Sequence, residues 1–398
     1  MDDLKKRALD YHQFPTPGKL SVESTKPCLT QEDLSLAYTP GVAVPVLAIK
    51  DNPQDAYKYT NKGNLIAVIT DGTAVLGLGN TGALASKPVM EGKAVLFKRF
   101  AGIDVFDIEV NAATPDEFIQ TVINIAPTFG GINLEDIAAP HCFYIEDTLK
   151  ARLDIPVFHD DQHGTAVIVS AALLNALKLQ GKSIETVKIV FLGAGAAGCS
   201  CAKLLKLMGA TNITMVDRKG VVDTNRQDLH SNNRDLAIKP SEVKTLADAM
   251  QEADVFIGVS AKNALDANLI KSMAAKPVIF ALANPDPEVL PSDAHAIRDD
   301  IIMATGRSDF PNQVNNALCF PYLFRGALDA KAKKITEEMK MAAAQALSEL
   351  AHEPVPAEVL KAYNLAELSF GPEYIIPKPF DPRLLEKVSN AVKEAALK

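Results

Sequence analysis

The stretch 187-VKIVFLGAGAAGCSCAKLLKLMG-209 decides the fold. An apolar run, VKIVFL, stops at glycine, and an alanine-, leucine- and lysine-rich segment with helical spacing follows, so the chain reads as buried strand, tight turn and helix. Gly193, Gly195 and Gly198 stand at GxGxxG spacing within it. In that motif the first glycine makes the turn, the second lets a pyrophosphate approach the backbone and the third lets helix and strand pack closely, with the helix N-terminus facing the phosphates. A second strand, NITMVDRKG, brings Asp217 to the place where an acidic residue meets the adenosine ribose, while Arg218 and Lys219 beside it suit the 2′-phosphate of NADP. NAD and NADP both remain open on these residues.

Working outward, ADVFIGVS, KPVIFALANP and IIMATGR supply further strands, which together predict a doubly wound parallel sheet. Upstream, NLIAVITDG, AVLGLGN, DVFDIEV and IPVFHD read as strands and KPVMEGKAVLFKRFAG as a helix, giving a second α/β unit. TPDEFIQTVINIAPTFG reads as a helix with Thr114 as N-cap and Pro115 at its first position. From Asp161 the pattern is helical through Lys178 and stops at Gly181. The expected architecture is α/β: an N-terminal α/β catalytic domain over residues 1–160, a Rossmann-type doubly wound domain over 161–330, and a helical C-terminal extension over 331–398. Residues 1 to about 60 are rich in proline and turn formers and predict an irregular entry with short helices.

Bulk properties narrow the function. With 398 residues, 23% of them charged, and a net charge of -8, the chain has the size of two domains and no general attraction for nucleic acid or anionic membranes. Its most apolar long run, TAVIVSAALLNALKL, is too short to span a bilayer, and MDDLKKRALD has no export signal, so no membrane partner is expected. Five cysteines without a CxxC pair point to a reducing, cytoplasmic setting.

Two acidic pairs stand at the ends of elements in the first half: Glu135 and Asp136 in INLEDI, and Asp160 and Asp161 in FHDDQHGTA. Oxygen-only clusters suit Mg²⁺ or Mn²⁺. The alternative is that Asp161 caps its helix and Glu135 and Asp136 are merely solvated. His159 and His163 have zinc-like i, i+4 spacing, but residue 159 lies on the strand side, so they are read as structural. Lys93, in the apolar stretch MEGKAVLF, is a candidate general base because apolar surroundings beside a metal would disfavour its charge, or else a helix lysine reaching for water. Tyr38 in AYTPGV is a candidate proton donor.

Taken together, YTPGV, DGTAVLGLG, KPVMEGKAVLF, GGINLEDI, FHDDQHGTA, the glycine turn, ALANP and GRSDFPNQVNNALCFP occur in the order found in the malic enzyme family, which the chain resembles from about residue 15 to its end. SFGPEYIIPKPFDPRL further resembles the malic domain of the bacterial hybrid type, in which a phosphotransacetylase-like domain follows; none lies within these 398 residues. The resemblance implies oxidative decarboxylation of L-malate to pyruvate, with Glu135, Asp136 and Asp161 on Mg²⁺ or Mn²⁺. It makes Lys93 the base supported by Asp160, and Tyr38 the acid. Asn284 would bind cofactor and substrate, and Asn315 and Asn316 substrate. It favours NADP over NAD and implies a homodimer or larger homo-oligomer. Ala74 stands where larger members carry a substrate-binding arginine, leaving Lys19, Lys26, Lys87 or the asparagines to grip the carboxylate. Two other readings remain: an amino-acid or hydroxy-acid dehydrogenase that does not decarboxylate, and a dinucleotide-sensing module without turnover.

Overall fold

The computed structural model describes residues 2–398 and contains two sheets. The first is parallel, in the order β2-β1-β3-β4, with β1 Leu65–Thr70, β2 Asp104–Glu109, β3 Gly131–Leu134 and β4 Val157–His159. The second runs β10-β9-β8-β5-β6-β7, with β5 Lys188–Leu192, β6 Asn212–Asp217, β7 Gly220–Val221, β8 Val255–Gly258, β9 Val278–Ala281 and β10 Ile302–Thr305. All its pairings are parallel except the short β6–β7 hairpin. The order reverses between β5 and β8, the switch point at which ligands of such sheets bind.

The second sheet is apolar on both faces because alternate side chains enter different cores. Val255 and Ile257 of β8 join the main cluster, while Phe256 between them joins a smaller one; β9 divides in the same way, Val278 and Phe280 against Ile279 and Ala281. The main cluster is continuous with the first sheet, through Ile66, Val68, Ile132 and Phe158. The helix Thr165–Gln180 joins the two and is buried along most of its length. Its one central amide, Asn175, is satisfied by the carbonyls of Ser348 and Ile375 and by the Ser348 hydroxyl.

The tail is no loose appendage. Helices Glu337–Leu350 and Arg383–Ala396 pack on each other, the second also on Phe320–Asp329, and Phe320 and Phe324 stack against Phe97 of the long helix Ala83–Ala101. Thr114 caps the helix Pro115–Ile125 by accepting from Glu117 N, and Gly181 ends Thr165–Gln180 in the left-handed conformation, as the sequence predicts.

One predicted strand is corrected. AVLGLGN is a turn, closed by the bridge between Val75 and Gly79, with Leu76 and Leu78 exposed. Gly77 and Gly79 take φ of 74° and 80°, which a β-ladder does not accommodate. In the entry segment, helices Asp2–Gln13, Gln31–Ala37 and Ala43–Asp51 form, and the last two bury no residue. Residues 18 and 19 are fastened to the long helix: Glu91 accepts from Lys19 N at 2.9 Å, and Lys19 Nζ donates to the Pro88 carbonyl at 2.6 Å.

Candidate functional site

The acidic centre follows from strand register. Leu134 of β3 pairs with His159 of β4, so Glu135 and Asp136 emerge beside Asp160 and Asp161 at the carboxyl edge of the first sheet. One ligand atom each from Glu135, Asp136 and Asp161 lie within 4.8 Å of one another. Glu135 is oriented by Asn133 Nδ2 at 2.9 Å, and Asp161 accepts from the Asp136 backbone N–H at 2.8 Å. Asp136 is held at φ 54°, and its carbonyl accepts from Ala74 N at 2.9 Å.

Electrostatically the trio is short of positive charge. Burial first, and repulsion by the neighbouring carboxylates second, push Glu135 well above the usual carboxylate range and Asp136 up to about 7. The buried Asp136 Oδ2 has no hydrogen-bond partner among the described residues. Three carboxylates with an unpartnered oxygen fit a hard divalent cation, which takes oxygen ligands and keeps positions for others.

Lys93 projects into the same place. Its Nζ lies 2.7 Å from Asp160 Oδ2 and 2.8 Å from Glu135 Oε1, with the Phe320 ring 4.3 Å below it. The sequence suggested that apolar surroundings would disfavour its charge. Burial does so, but attraction to Asp160 and Glu135 outweighs it and keeps the ammonium protonated. Asp160 is fully buried, and Asn316 Nδ2 also donates to it at 3.0 Å. Gly164 makes room for Asp160, since a Cβ there would overlap Asp160 Oδ1.

Asp160 and Asp161 open a wide turn of π type, Asp160–Gly164, before the helix at Thr165. This turn is anchored by Glu146, which sequence reasoning missed. Glu146 is buried and accepts from His159 N at 3.1 Å and Gln162 Nε2 at 3.2 Å, while Lys150 Nζ lies at 2.7 Å and His163 Nε2 at 2.8 Å. With Nε2 donating to Glu146, His163 Nδ1 is left to accept from Lys340 Nζ at 3.2 Å. His163 is thereby committed to structure. His159 is buried with Nδ1 3.8 Å from Asp161 Oδ2, and the two histidines share no ligand position.

The glycine turn matches its reading. Gly193 has φ 120°, a Cβ at Gly198 would overlap the Gly193 carbonyl, and nothing stands within 4 Å of a Cβ at Gly195, which is where a pyrophosphate needs space. At the end of β6, however, Asp217 is bound by Arg226, another residue the motif did not reveal, through two bonds of 2.8 and 2.7 Å. Lys219 Nζ reaches Asp228 at 2.7 Å, and Arg218 is exposed.

The remaining candidates divide. Asn284 is exposed next to the turn of the first unit: its carbonyl is what a Cβ at Gly77 would strike, and its amide borders Gly306. Asn316 is spent on Asp160 and on Thr165 Oγ1, and Asn315 Oδ1 caps the short turn Asn316–Leu318. Lys87 pairs with Asp107 at 2.5 Å and Lys19 lies against Pro88, so neither touches the acidic centre; Lys26 is exposed. Tyr38 is 70% exposed and has no hydrogen bond to Lys93.

A nucleotide-type sheet whose loops meet a separate lysine–carboxylate centre is the layout of a two-unit oxidoreductase. Residues 17–150 match the malic enzyme N-terminal domain, and residues 162–363 the malic enzyme NAD-binding domain. The chain is 58% identical to the NADP-dependent malic enzyme of Halomonas elongata, covering 100% of this chain and 94% of that protein. It is 57% identical to the NADP-dependent malic enzyme of Escherichia coli, where it covers 100% of this chain but 53% of the relative. The solved NAD-dependent malic enzyme of Thermotoga maritima superposes with a TM-score of 0.88 at 46% identity, covering 97% of this chain and 98% of that one. The chain belongs to the malic enzyme family.

Proposed function

We propose that this chain oxidatively decarboxylates L-malate to pyruvate and carbon dioxide with NADP⁺, assisted by Mg²⁺ or Mn²⁺. The observation that carries the reading is Lys93 clasped between Asp160 and Glu135 beside the Glu135–Asp136–Asp161 trio. The homologues' names support the substrate, and those from Halomonas elongata and Escherichia coli support NADP. Residues 1–160 would form the catalytic domain, 161–330 the dinucleotide domain and 331–398 the helical segment packed on them.

Glu135, Asp136 and Asp161 would hold the cation. When bound, the cation withdraws electrons from the C2 oxygen of the substrate and the nicotinamide accepts hydride from C2. Lys93 accepts the C2 hydroxyl proton. With a cation on Glu135 and Asp161, two of the carboxylate charges that hold its proton would be drawn off, leaving burial opposed by Asp160, which also keeps it aimed. Tyr38 returns a proton to C3 after carbon dioxide leaves. Asn284 lines the nicotinamide and substrate, and Asn315 offers its free amide to the substrate carboxylate. Asn316 acts through Asp160.

Leu36, Tyr38, Val44, Val46 and Leu47 are apolar side chains left exposed on an entry segment whose helices Gln31–Ala37 and Ala43–Asp51 bury no residue, which supports a homodimer in which a second copy covers them. Five unpaired cysteines support a cytoplasmic setting. No described helix is long and apolar enough to cross a membrane.

The test is steady-state turnover of malate with Mg²⁺ or Mn²⁺ and either NADP⁺ or NAD⁺, following reduced cofactor and carbon dioxide together. Equal yields that vanish with EDTA are expected. Cofactor reduction without carbon dioxide, or turnover indifferent to EDTA, would overturn the reading. Tyr38→Phe should impair malate turnover more than oxaloacetate reduction, and a parallel loss of both would remove Tyr38 as the C3 donor.

A further inference from the structure

Asp217 ends β6 where an acidic residue ordinarily accepts hydrogen bonds from an adenosine ribose. Here both of its oxygens already accept hydrogen bonds. Arg226, from the loop after β7, donates Nη1 to Oδ1 at 2.8 Å and Nη2 to Oδ2 at 2.7 Å, and the Lys219 backbone N–H adds a bond to Oδ1 at 2.8 Å. The pair is sheltered, with side chains 15% and 24% exposed. Asp228 holds the same guanidinium from the other side, accepting from Nε at 3.1 Å and Nη2 at 3.0 Å, and it also receives Lys219 Nζ at 2.7 Å. The guanidinium has a single N–H left, on Nη1, and its plane is fixed by two carboxylates.

This clamp changes what the ribose end can recognise. A free carboxylate accepts from a 2′-hydroxyl and repels a 2′-phosphate. A carboxylate locked in a two-pronged ion pair does both less strongly: three of its roughly four acceptor positions are used and its charge is balanced. The surrounding set, Asp217, Arg218, Lys219, Arg226 and Asp228, carries three cations against two anions. Arg218 is exposed and without a hydrogen-bond partner among the described residues, so it is free to turn onto a phosphate.

We propose that Arg226 is the residue that sets the cofactor preference of this chain: it weakens Asp217 as an acceptor for a 2′-hydroxyl, balances the charge that would repel a 2′-phosphate, and makes the ribose end a receptor for that phosphate, completed by Arg218 and Lys219. The inference rests on the dehydrogenase reading above, but its main test needs no turnover. It assigns Arg226 a specificity role nine residues beyond the acidic position at which such motifs are usually read.

The experiment compares the full chain with Arg226→Gln and Arg226→Lys. Binding of 2′,5′-ADP and of ADP is titrated without malate, and kcat and KM for NADP⁺ and NAD⁺ are measured at saturating malate and Mn²⁺. The loss of charged hydrogen bonds predicts that Arg226→Gln weakens 2′,5′-ADP about tenfold or more, leaving ADP unchanged or tighter. The same factor should appear as a rise in KM for NADP⁺ with kcat retained. Arg226→Lys, which keeps the charge without the fork, should recover part of the 2′-phosphate preference. Parallel weakening of both nucleotides would show that Arg226 merely supports the loop and would overturn the proposal. So would an unchanged preference, or a wild-type chain that binds 2′,5′-ADP no better than ADP. If the wild type turns over malate with neither cofactor, the dehydrogenase reading fails, while the nucleotide titrations still decide the role of Arg226.

Discussion

Replacing Glu146 with glutamine tests how far the acidic centre depends on a residue that touches no ligand. The two oxygens of Glu146 face four donors: His159 N and Lys150 Nζ at one, Gln162 Nε2 and His163 Nε2 at the other. A glutamine presents an oxygen to one pair and an NH₂ to the other, so two donors meet a donor whichever way the amide turns. Each stranded donor costs about 1–3 kcal/mol, giving a loss of about 4 kcal/mol if both stay buried, and somewhat less if Lys150, 28% exposed, turns to water. At about 2.1 cal/mol/K of unfolding entropy per residue, a chain of this length loses about 5 °C in Tm. The turn Asp160–Gly164 loosens as well, and a supporting group of this kind is worth about 10–100-fold in metal affinity. Differential scanning calorimetry reads the first effect and Mn²⁺ titration of the purified chain the second. If Tm falls but Mn²⁺ affinity stays within about twofold of wild type, Glu146 is only a packing group and the anchoring argument is refuted.

Other perturbations separate the parts of the site. Asp161→Ala should abolish metal-dependent turnover and leave nucleotide affinity intact, because the glycine turn lies on the other sheet; equal loss of both would count against Asp161 as a ligand. Gly164→Ala drives a methyl group into Asp160, which should cost about 1–3 kcal/mol of stability and depress kcat without changing nucleotide binding. Normal kcat would show that Asp160 need not hold its position. Glu109→Gln addresses pH. Burial, with Asp107 beside it, raises Glu109 to about 7, so the folded state prefers the protonated form. Its contribution is complete below about pH 4.5 and is lost as pH rises through 7. The variant should therefore melt higher than wild type at pH 8 and alike at pH 4, whereas a pH-independent difference in Tm would contradict the assignment.

Much of this was legible in the sequence because it rests on local periodicity. The runs LIAVIT, KIVFL and NITMVD are strands whose side chains are largely buried, and DVFDIE is a half-buried edge strand paired with β1. AVLGLGN misled because its leucines alternate with glycine as in a strand, whereas left-handed glycines close it into a turn with the leucines outward. The clustering of Glu135, Asp136 and Asp161 was anticipated from the family resemblance, since residue type alone favoured capping or solvated roles, and the reason for it, the pairing of Leu134 with His159, is a matter of sheet register. Glu146, Asn133 and Arg226 left no signal because each acts through a partner that only the fold supplies. The carboxylates that hold the charge of Lys93 were hidden for the same reason: its apolar neighbours are local in sequence, Asp160 and Glu135 are not.

The wide turn at Asp160–Gly164 has a consequence for engineering. A five-residue turn is a poor start for a helix, since it gives up the tight bonding that an ordinary first turn would have. In exchange Asp160 points to a lysine and Asp161 to a cation site from consecutive positions. Shortening that turn by one residue would let the helix Thr165–Gln180 begin regularly, and it would swing one aspartate away from its partner. Variants selected for heat resistance at this junction should thus become sturdier and idle together, a local trade of durability against turnover.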